Sequence, residues 1–312
     1  MRDREKNFVS AVVYVHNCRE RIGDFLEMLM VTLGERFDRS EIICVNDGSC
    51  DDSVSVIRET GQGRKETAVS ILNLSSFHGV ERAMAAGTDL AIGDFVLEFD
   101  STIQDFSSSE IMEVYRKSLE GFDIVSALPE AKERFSSRLF YFFMDHFSDT
   151  PCSFHTERFR ILSRRAVNRM GSMNKSVVYR KAAYANCGLK TAAITYLGEK
   201  IREYGEQDRK ERKYRIDLAV DALILFTNVG YRFSVMMTVI MMLFAAAMAV
   251  YCVWIYMTSS PIEGWTTTIM FLSAAFFGLF GILTIMIRYL QIVVNLIFKK
   301  KQYSFESIEK LT

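Results

Sequence analysis

The chain has 312 residues, 49% of them hydrophobic, and its 38 basic and 38 acidic residues cancel to a formal charge of zero. That length holds one core of ordinary size, about 100 to 200 residues, and something besides. The six cysteines, Cys18, Cys44, Cys50, Cys152, Cys187 and Cys252, lack the paired spacing of a zinc site, which excludes a zinc-built module, and they read as reduced thiols.

In chain order, Met1 to Phe8 is mostly charged and the apolar run after it is short and strand-like, so no signal peptide is read there. Val9 to Val15 predicts a first strand, and Ile22 to Phe37, with Phe25, Met28, Leu29 and Leu33 on one stripe, predicts a helix. Glu41 to Val45 is the second expected strand. Asp51 to Glu59 opens a helix with acidic residues suited to its N-terminus. Ala68 to Leu74 reads as a strand, Val80 to Ile92 as a helix and Phe95 to Phe99 as a fourth strand. Short β-rich runs alternating with amphipathic ones are the pattern of βαβ units, so the expected class is α/β with a mostly parallel sheet. Beyond it, a helix is expected at Ser109 to Leu119, a strand at Asp123 to Ala127 and an aromatic-rich helix at Ser136 to His146.

The last third has another character. Phe233 to Met257 and Trp265 to Ile287 carry no charge, and each is long enough to cross a hydrocarbon core about 30 Å thick. Lys and Arg flank them on one side only: Arg209, Lys210, Arg212, Lys213, Arg215 and Arg232 before, and Lys299, Lys300 and Lys301 after, while Thr258 to Gly264 has neither. Positive charge collects on the cytoplasmic side, so a helical hairpin with both termini and the globular part in the cytoplasm is expected. Tyr214 to Arg232 mixes charged with apolar residues and reads as an interfacial helix, and a second is expected at Tyr289 to Phe298. The expected organisation is a domain over 1–210, an interfacial helix over 211–232, a hairpin over 233–287, and a juxtamembrane helix with a basic tail over 288–312.

Two apolar runs end in acidic turns: EIICVNDGSCDDS, with Asp47, and GDFVLEFDSTIQDF, which breaks at Asp100. In open α/β sheets ligands bind beyond the carboxyl ends of strands, where strand order reverses, so both carboxylates are expected to face one crevice. Asn46 and Asp47 offer donors and acceptors on a turn kept tight by Gly48 and Ser49, which suits a base or a ribose. The alternative is a plain Asp-Gly turn with Asp51 as a helix cap.

Four stretches in order, VSAVVYVHN at 9–17, VNDGSCDDS at 45–53, FHGVERAMAAGTDLAIGD at 77–94 and FDSTIQDF at 99–106, resemble those of membrane-anchored family 2 glycosyltransferases of the GT-A fold. The group resembled moves sugars onto polyprenyl phosphates and includes dolichol-phosphate mannose synthases and bactoprenol glucosyltransferases. ERFRILSRRAV at 157–167 is similar to its acceptor-side segment, and RYLQIVVNLIFKKKQY at 288–303 to its tail. The resemblance implies that Tyr14, Asn17, Asn46, Asp47 and Asp100 hold a nucleotide-diphosphate sugar. It further implies that Asp100, first in a DxD-like motif, holds Mg²⁺ or Mn²⁺ with Asp105. Thr102 stands where that motif has its second Asp, and Tyr14 to Cys18 replace Pro-x-Tyr-Asn-Glu.

Glu157 and Arg158 stand where the family has Gly-Asp before Phe-Arg. Arginine cannot act as a base, so Glu157 is the candidate catalytic carboxylate beside Asp100. An ionised lipid phosphate needs no base. Arg158, Arg160 and Arg164 are candidates to bind that phosphate, and membrane head groups are the alternative partner of this basic segment. The implied activity is hexose transfer to a polyprenyl phosphate for surface glycan synthesis, at a bacterial inner membrane. The alternatives are a polysaccharide or other lipid acceptor, or a degenerate pseudo-glycosyltransferase serving as a binding or scaffold subunit. No nucleic acid is expected as a partner, and a homo-oligomer is suggested by resemblance alone.

Overall fold

The computed structural model describes residues 4–62, 67–130, 156–173, 179–198, 209–226 and 305–311, with scattered positions in 138–142 and 233–293. The first half alternates as the hydrophobic periodicity requires: β1 (Glu5–Val15), α1 (Arg19–Arg36), β2 (Phe37–Asn46), α2 (Ser53–Gly61), β3 (Ala68–Leu74), α3 (Val80–Leu90), β4 (Phe95–Phe99), α4 (Ser108–Leu119) and β5 (Ile124–Pro129). After these come β6 (Phe159–Ser163), α5 (Arg164–Met173), α6 (Arg180–Ala185), β7 (Thr191–Tyr196), α7 (Arg209–Phe226) and β8 (Phe305–Lys310). α4 starts one residue before the expected Ser109, because Ser107 and Glu110 form a reciprocal capping box.

One mixed sheet holds all eight strands, in the order β7-β5-β6-β4-β1-β2-β3-β8. β1 pairs parallel with both β2 and β4, and β2 with β3. β6 runs antiparallel to β4 and β5, so the sheet is less uniformly parallel than the βαβ pattern suggests. The chain winds outward through β2 and β3 and returns to the other side of β1 for β4. Strand order therefore reverses between β1 and β4, which opens a crevice at their carboxyl ends.

The two-residue period of β1 sorts the core onto two faces. Val9, Ala11, Val13 and Val15 pack beneath α1, α2 and α4 with Phe25, Leu29, Ile57 and Ile111, whereas Val12 and Tyr14 face α3, α5 and α6 with Met84, Ala166 and Tyr184. α7 docks by a stripe at helical spacing. Tyr214 meets Phe77 edge-on at 5.7 Å, and Leu218 and Ala222 pack against Tyr179 and Ala182. Ile216 and Val220 lie exposed on its other side, so the helix expected at a membrane surface is also bonded to the domain by its inner stripe.

β8 revises the expected organisation. The tail at 288–312 contains a strand, antiparallel to β3, that completes the sheet formed by the first half of the chain. Its inward residues include Ser307 and Glu309 while Ile308 faces out, which inverts the hydrophobic alternation by which a strand is recognised. Among the described residues no helix is long and apolar enough to cross a membrane. The expected span at 233–257 and the helix at 136–146 fall mostly outside the described residues, and about half of the span at 265–287 does. Where positions in the spans are described, Phe244 and Phe271 stack at 5.9 Å.

Candidate functional site

The carboxyl ends of β1, β2 and β4 place Tyr14, Asn17, Asn46, Asp47 and Asp100 around the crevice, and the two carboxylates have different surroundings. Asp47 is fully buried. One oxygen accepts the His78 backbone N–H at 2.7 Å, and the other accepts the Gly79 N–H at 2.8 Å and the Tyr14 hydroxyl at 3.1 Å. Burial and then the Asp47 charge push the Tyr14 phenol up, which keeps it a donor. Gly79 has φ 87°, and a Cβ there would overlap the Tyr214 ring. Gly48, at φ 63°, carries the turn close under Phe77, where a Cβ would lie 2.9 Å from the backbone nitrogen. Asp47 thus fastens the β2 turn to the start of α3.

The neighbouring amides build the same rim. Asn46 accepts the Ser49 N–H at 3.1 Å and donates to Asn73 at 2.9 Å. Asn17, at φ 45°, accepts the Cys50 N–H at 2.8 Å. His16 contacts the Asp47 carbonyl at 2.8 Å and packs on Phe77 at 4.8 Å. These side chains shape the turn that a nucleotide would meet, and Asp47 has no exposed surface to offer it.

Asp100 sits among charges instead. Arg160 donates to one oxygen at 2.6 Å and Arg180 to the other at 2.5 Å. Arg180 also bonds Glu81 through its Nε at 2.9 Å and lies 2.8 Å from Glu98, while Arg160 lies 3.1 Å from Glu157 and 3.5 Å from Glu98. Tyr184 and Thr88 donate to the fully buried Glu98, and the Arg160 guanidinium lies 5.3 Å from the Tyr184 ring centroid. Burial by itself would raise the Asp100 carboxyl. The Arg160 and Arg180 guanidiniums outweigh it and hold the carboxyl well below the usual carboxylate range.

Several expectations change here. Arg160 is 1% exposed and serves as the counter-ion of Asp100, which leaves it no surface for an acceptor phosphate. Glu157 reaches the crevice but is paired with Arg160. Asp105, expected on a metal, is 3% exposed, is gripped by both arms of Arg158 and accepts the Tyr196 hydroxyl at 2.9 Å. The metal candidate and the phosphate candidate therefore neutralise each other. Arg164 lies at the opposite end of the sheet, because β6 runs antiparallel to β4 and pairs Ser163 with Phe95. Its guanidinium holds the Gly93 carbonyl, roughly 20 Å of strand away from Asp100.

Arg180, Glu81, Glu98 and Tyr184 were not anticipated. A signal existed in the five-residue strand FVLEF, whose Glu98 is a carboxylate in a central, apolar strand and requires buried partners, either a cation or hydrogen-bond donors. Nothing local says that the cation comes from Arg160 and Arg180.

Among the described residues no group of three or more His, Cys, Asp or Glu is arranged to hold a metal. The cluster nonetheless contains more carboxylates than guanidiniums, and Asp100, with a quarter of its side chain exposed, is its most open member. A hard divalent ion commonly takes one or two protein carboxylates and completes its shell with water and substrate phosphates. Asp100 is open enough to meet a cation that arrives with a diphosphate, and because both of its oxygens accept from Arg160 and Arg180, that cation would displace one of these bonds.

A family model described as glycosyl transferase family 2 matches residues 10–171. An uncharacterized glycosyltransferase of Synechocystis sp. is 27% identical over 194 residues, 60% of this chain and 60% of that protein. The undecaprenyl-phosphate 4-deoxy-4-formamido-L-arabinose transferase of Edwardsiella ictaluri is 28% identical over 126 residues, 40% of this chain and 38% of its own length. Among solved structures, the mannosyltransferase PcManGT of Pyrobaculum calidifontis, in complex with GDP-Man and Mn²⁺, superposes with a TM-score of 0.53 at 15% identity, covering 70% of this chain and 63% of that one. That likeness concerns the fold.

Proposed function

The chain belongs to glycosyl transferase family 2, and from that premise we propose that it moves a hexose from a nucleotide-diphosphate sugar to a polyprenyl phosphate or a related lipid-linked acceptor. One observation carries this reading: Asp100, the partly exposed and firmly ionised carboxylate at the strand-order reversal, stands across the crevice from the Asp47 turn. The turn at 46–49 offers base and ribose a shaped rim. Asp100 would hold Mg²⁺ or Mn²⁺, which supplies charge neutralisation as the diphosphate departs. The chain's own residues keep Asp100 charged and aimed through Arg160 and Arg180. An acceptor phosphate is already nucleophilic, so the engagement of Glu157 by Arg160 does not block the step.

The lipid acceptor is supported by the undecaprenyl-phosphate transferase among the relatives and by the uncharged stretches 233–257 and 265–287. β8 adds a topological argument. Residues 305–310 complete the same sheet as β1 to β4, so any crossings of a membrane between α7 and β8 would have to be even in number, as in a hairpin. At described positions the apolar side chains of Leu243, Leu279 and Met286 face outward. In this reading the domain is cytoplasmic, at a bacterial inner membrane.

The closure of Asp105 by Arg158 favours a second reading, a binding subunit that has lost turnover. Calorimetric titration of the full chain with nucleotide-diphosphate sugars, with and without Mn²⁺, separates the two. Metal-dependent binding that disappears in Asp100→Ala, with labelled sugar entering an organic-soluble lipid, is expected. Failure of every donor to bind would overturn the transferase reading.

A further inference from the structure

The polar contacts between the C-terminal strand and the crevice form one continuous relay. Glu309 is held by both arms of Arg58 at 2.8 Å. The Asn73 amide donates one hydrogen to Glu309 at 3.1 Å and the other to Ser307 at 3.0 Å. Its carbonyl oxygen accepts from the Asn46 amide at 2.9 Å, and the Asn46 oxygen accepts the Ser49 N–H at 3.1 Å. Ser49 in turn accepts the Asn17 N–H through its hydroxyl at 3.2 Å.

The direction of this relay is fixed at both ends. A backbone N–H only donates, so Asn46 must turn its oxygen to Ser49 and its amide nitrogen to Asn73. A carboxylate only accepts, so Asn73 must turn its nitrogen to Glu309 and its oxygen to Asn46. The Ser49 end anchors Asn46, the β8 end anchors Asn73, and the bond between the two amides couples the anchors, so that neither amide flips alone. Asn46 and Asn73 are both buried, so a mis-set amide leaves unsatisfied groups beside the turn.

We propose that β8 is a positioning element of the donor site, with Asn73, Ser307 and Glu309 acting through Asn46 to set the 46–49 turn that receives the nucleoside diphosphate. The proposal rests on the nucleotide reading of that turn. It assigns β8 a role at the crevice through Asn73 and Asn46. It also ties both ends of the segment between α7 and β8 to one rim, since Tyr214 of α7 packs on Phe77 and Gly79.

The test uses the full chain with Asn73→Leu and reads two quantities: the donor KM against kcat, and amide hydrogen exchange at Ser49 without donor. The expected result is a donor KM raised about tenfold, the scale of one lost buried hydrogen-bond partner, with kcat within about twofold and faster exchange at Ser49. Glu309→Gln, whose amide oxygen still accepts from Asn73, is expected to stay near the parent. Should Asn73→Leu not fold, the pair Ser307→Ala/Glu309→Ala removes the two groups that accept from Asn73, at half-buried positions of an edge strand. Unchanged Ser49 exchange, or an unchanged donor KM, in a folded variant overturns the proposal. If the parent chain binds no nucleotide sugar, the transferase reading fails, and Ser49 exchange still decides whether β8 sets the turn.

Discussion

The two halves of the sheet solve one problem, a polar rim over a buried core, by different means. From β1 to β8 the rim is built from directional bonds between neutral amides and backbone groups, and its one buried charge, Asp47, is satisfied by two backbone N–H groups and a phenol. From β4 to β7 it is built from charge: Arg160 and Arg180 stand among Glu81, Glu98, Asp100 and Glu157, and Arg158 holds Asp105. Directional bonds fix a shape. A buried ion cluster fixes an ionisation state, and it leaves Asp100 charged and partly open to a ligand.

Truncating each carboxylate is the strongest way to break this contrast. Asp100→Ala removes a carboxylate shared by two arginines that keep Glu81, Glu98 and Glu157 as partners, so a loss of about 1–3 kcal/mol in stability is expected, together with a roughly thousandfold loss of transfer, the rate equivalent of ~4 kcal/mol. Asp47→Asn turns an amide NH₂ toward backbone donors and is expected to cost about 1–3 kcal/mol, read as a shifted urea midpoint at constant m-value. A loss of transfer in Asp47→Asn as deep as in Asp100→Ala would reverse the assignment of shape to one half and charge to the other.

Acid titration sharpens the comparison with a smaller effect. The folded Asp100 carboxyl lies below its unfolded value, because the two guanidiniums outweigh burial. Its contribution to stability is therefore present above the ordinary carboxylate pKa and is lost only as pH falls through the depressed folded value. In Arg180→Gln that loss is expected to begin at higher pH, nearer the ordinary range. Superimposable midpoint-against-pH curves for parent and variant would show that Arg180 does not set the charge.

Much of the first half was legible because its signals are local. Ala68–Leu74 and Phe95–Phe99 have the expected bounds, and the acidic turns at Asp47 and Asp100 follow β2 and β4 as expected. The partners of those turns were not legible, because each comes from far along the chain: Arg180 lies 80 residues from Asp100, and Glu309 lies 236 from Asn73. Arg158, Arg160 and Arg164 look equivalent as a basic run. Their positions before, within and after β6, and the direction of that strand, separate them into the partner of Asp105, the partner of Asp100 and a residue at the other end of the sheet.

That separation yields the smallest expected effect. Arg164 leaves the β6 strand at the end opposite the crevice, and its guanidinium closes on the Gly93 carbonyl in the loop that leads into β4. Arg164→Gln removes a charge-assisted bond between partly buried groups and is expected to cost about 1 kcal/mol of stability, with donor KM, acceptor KM and kcat all unchanged. The resemblance of 157–167 to an acceptor-side segment implies the opposite, a raised acceptor KM. Antiparallel register decides between them, since a residue one strand length from Asp100 cannot share a phosphate with it, and a raised acceptor KM in this variant would mean that the pairing of Phe95 with Ser163 is not the one the protein adopts.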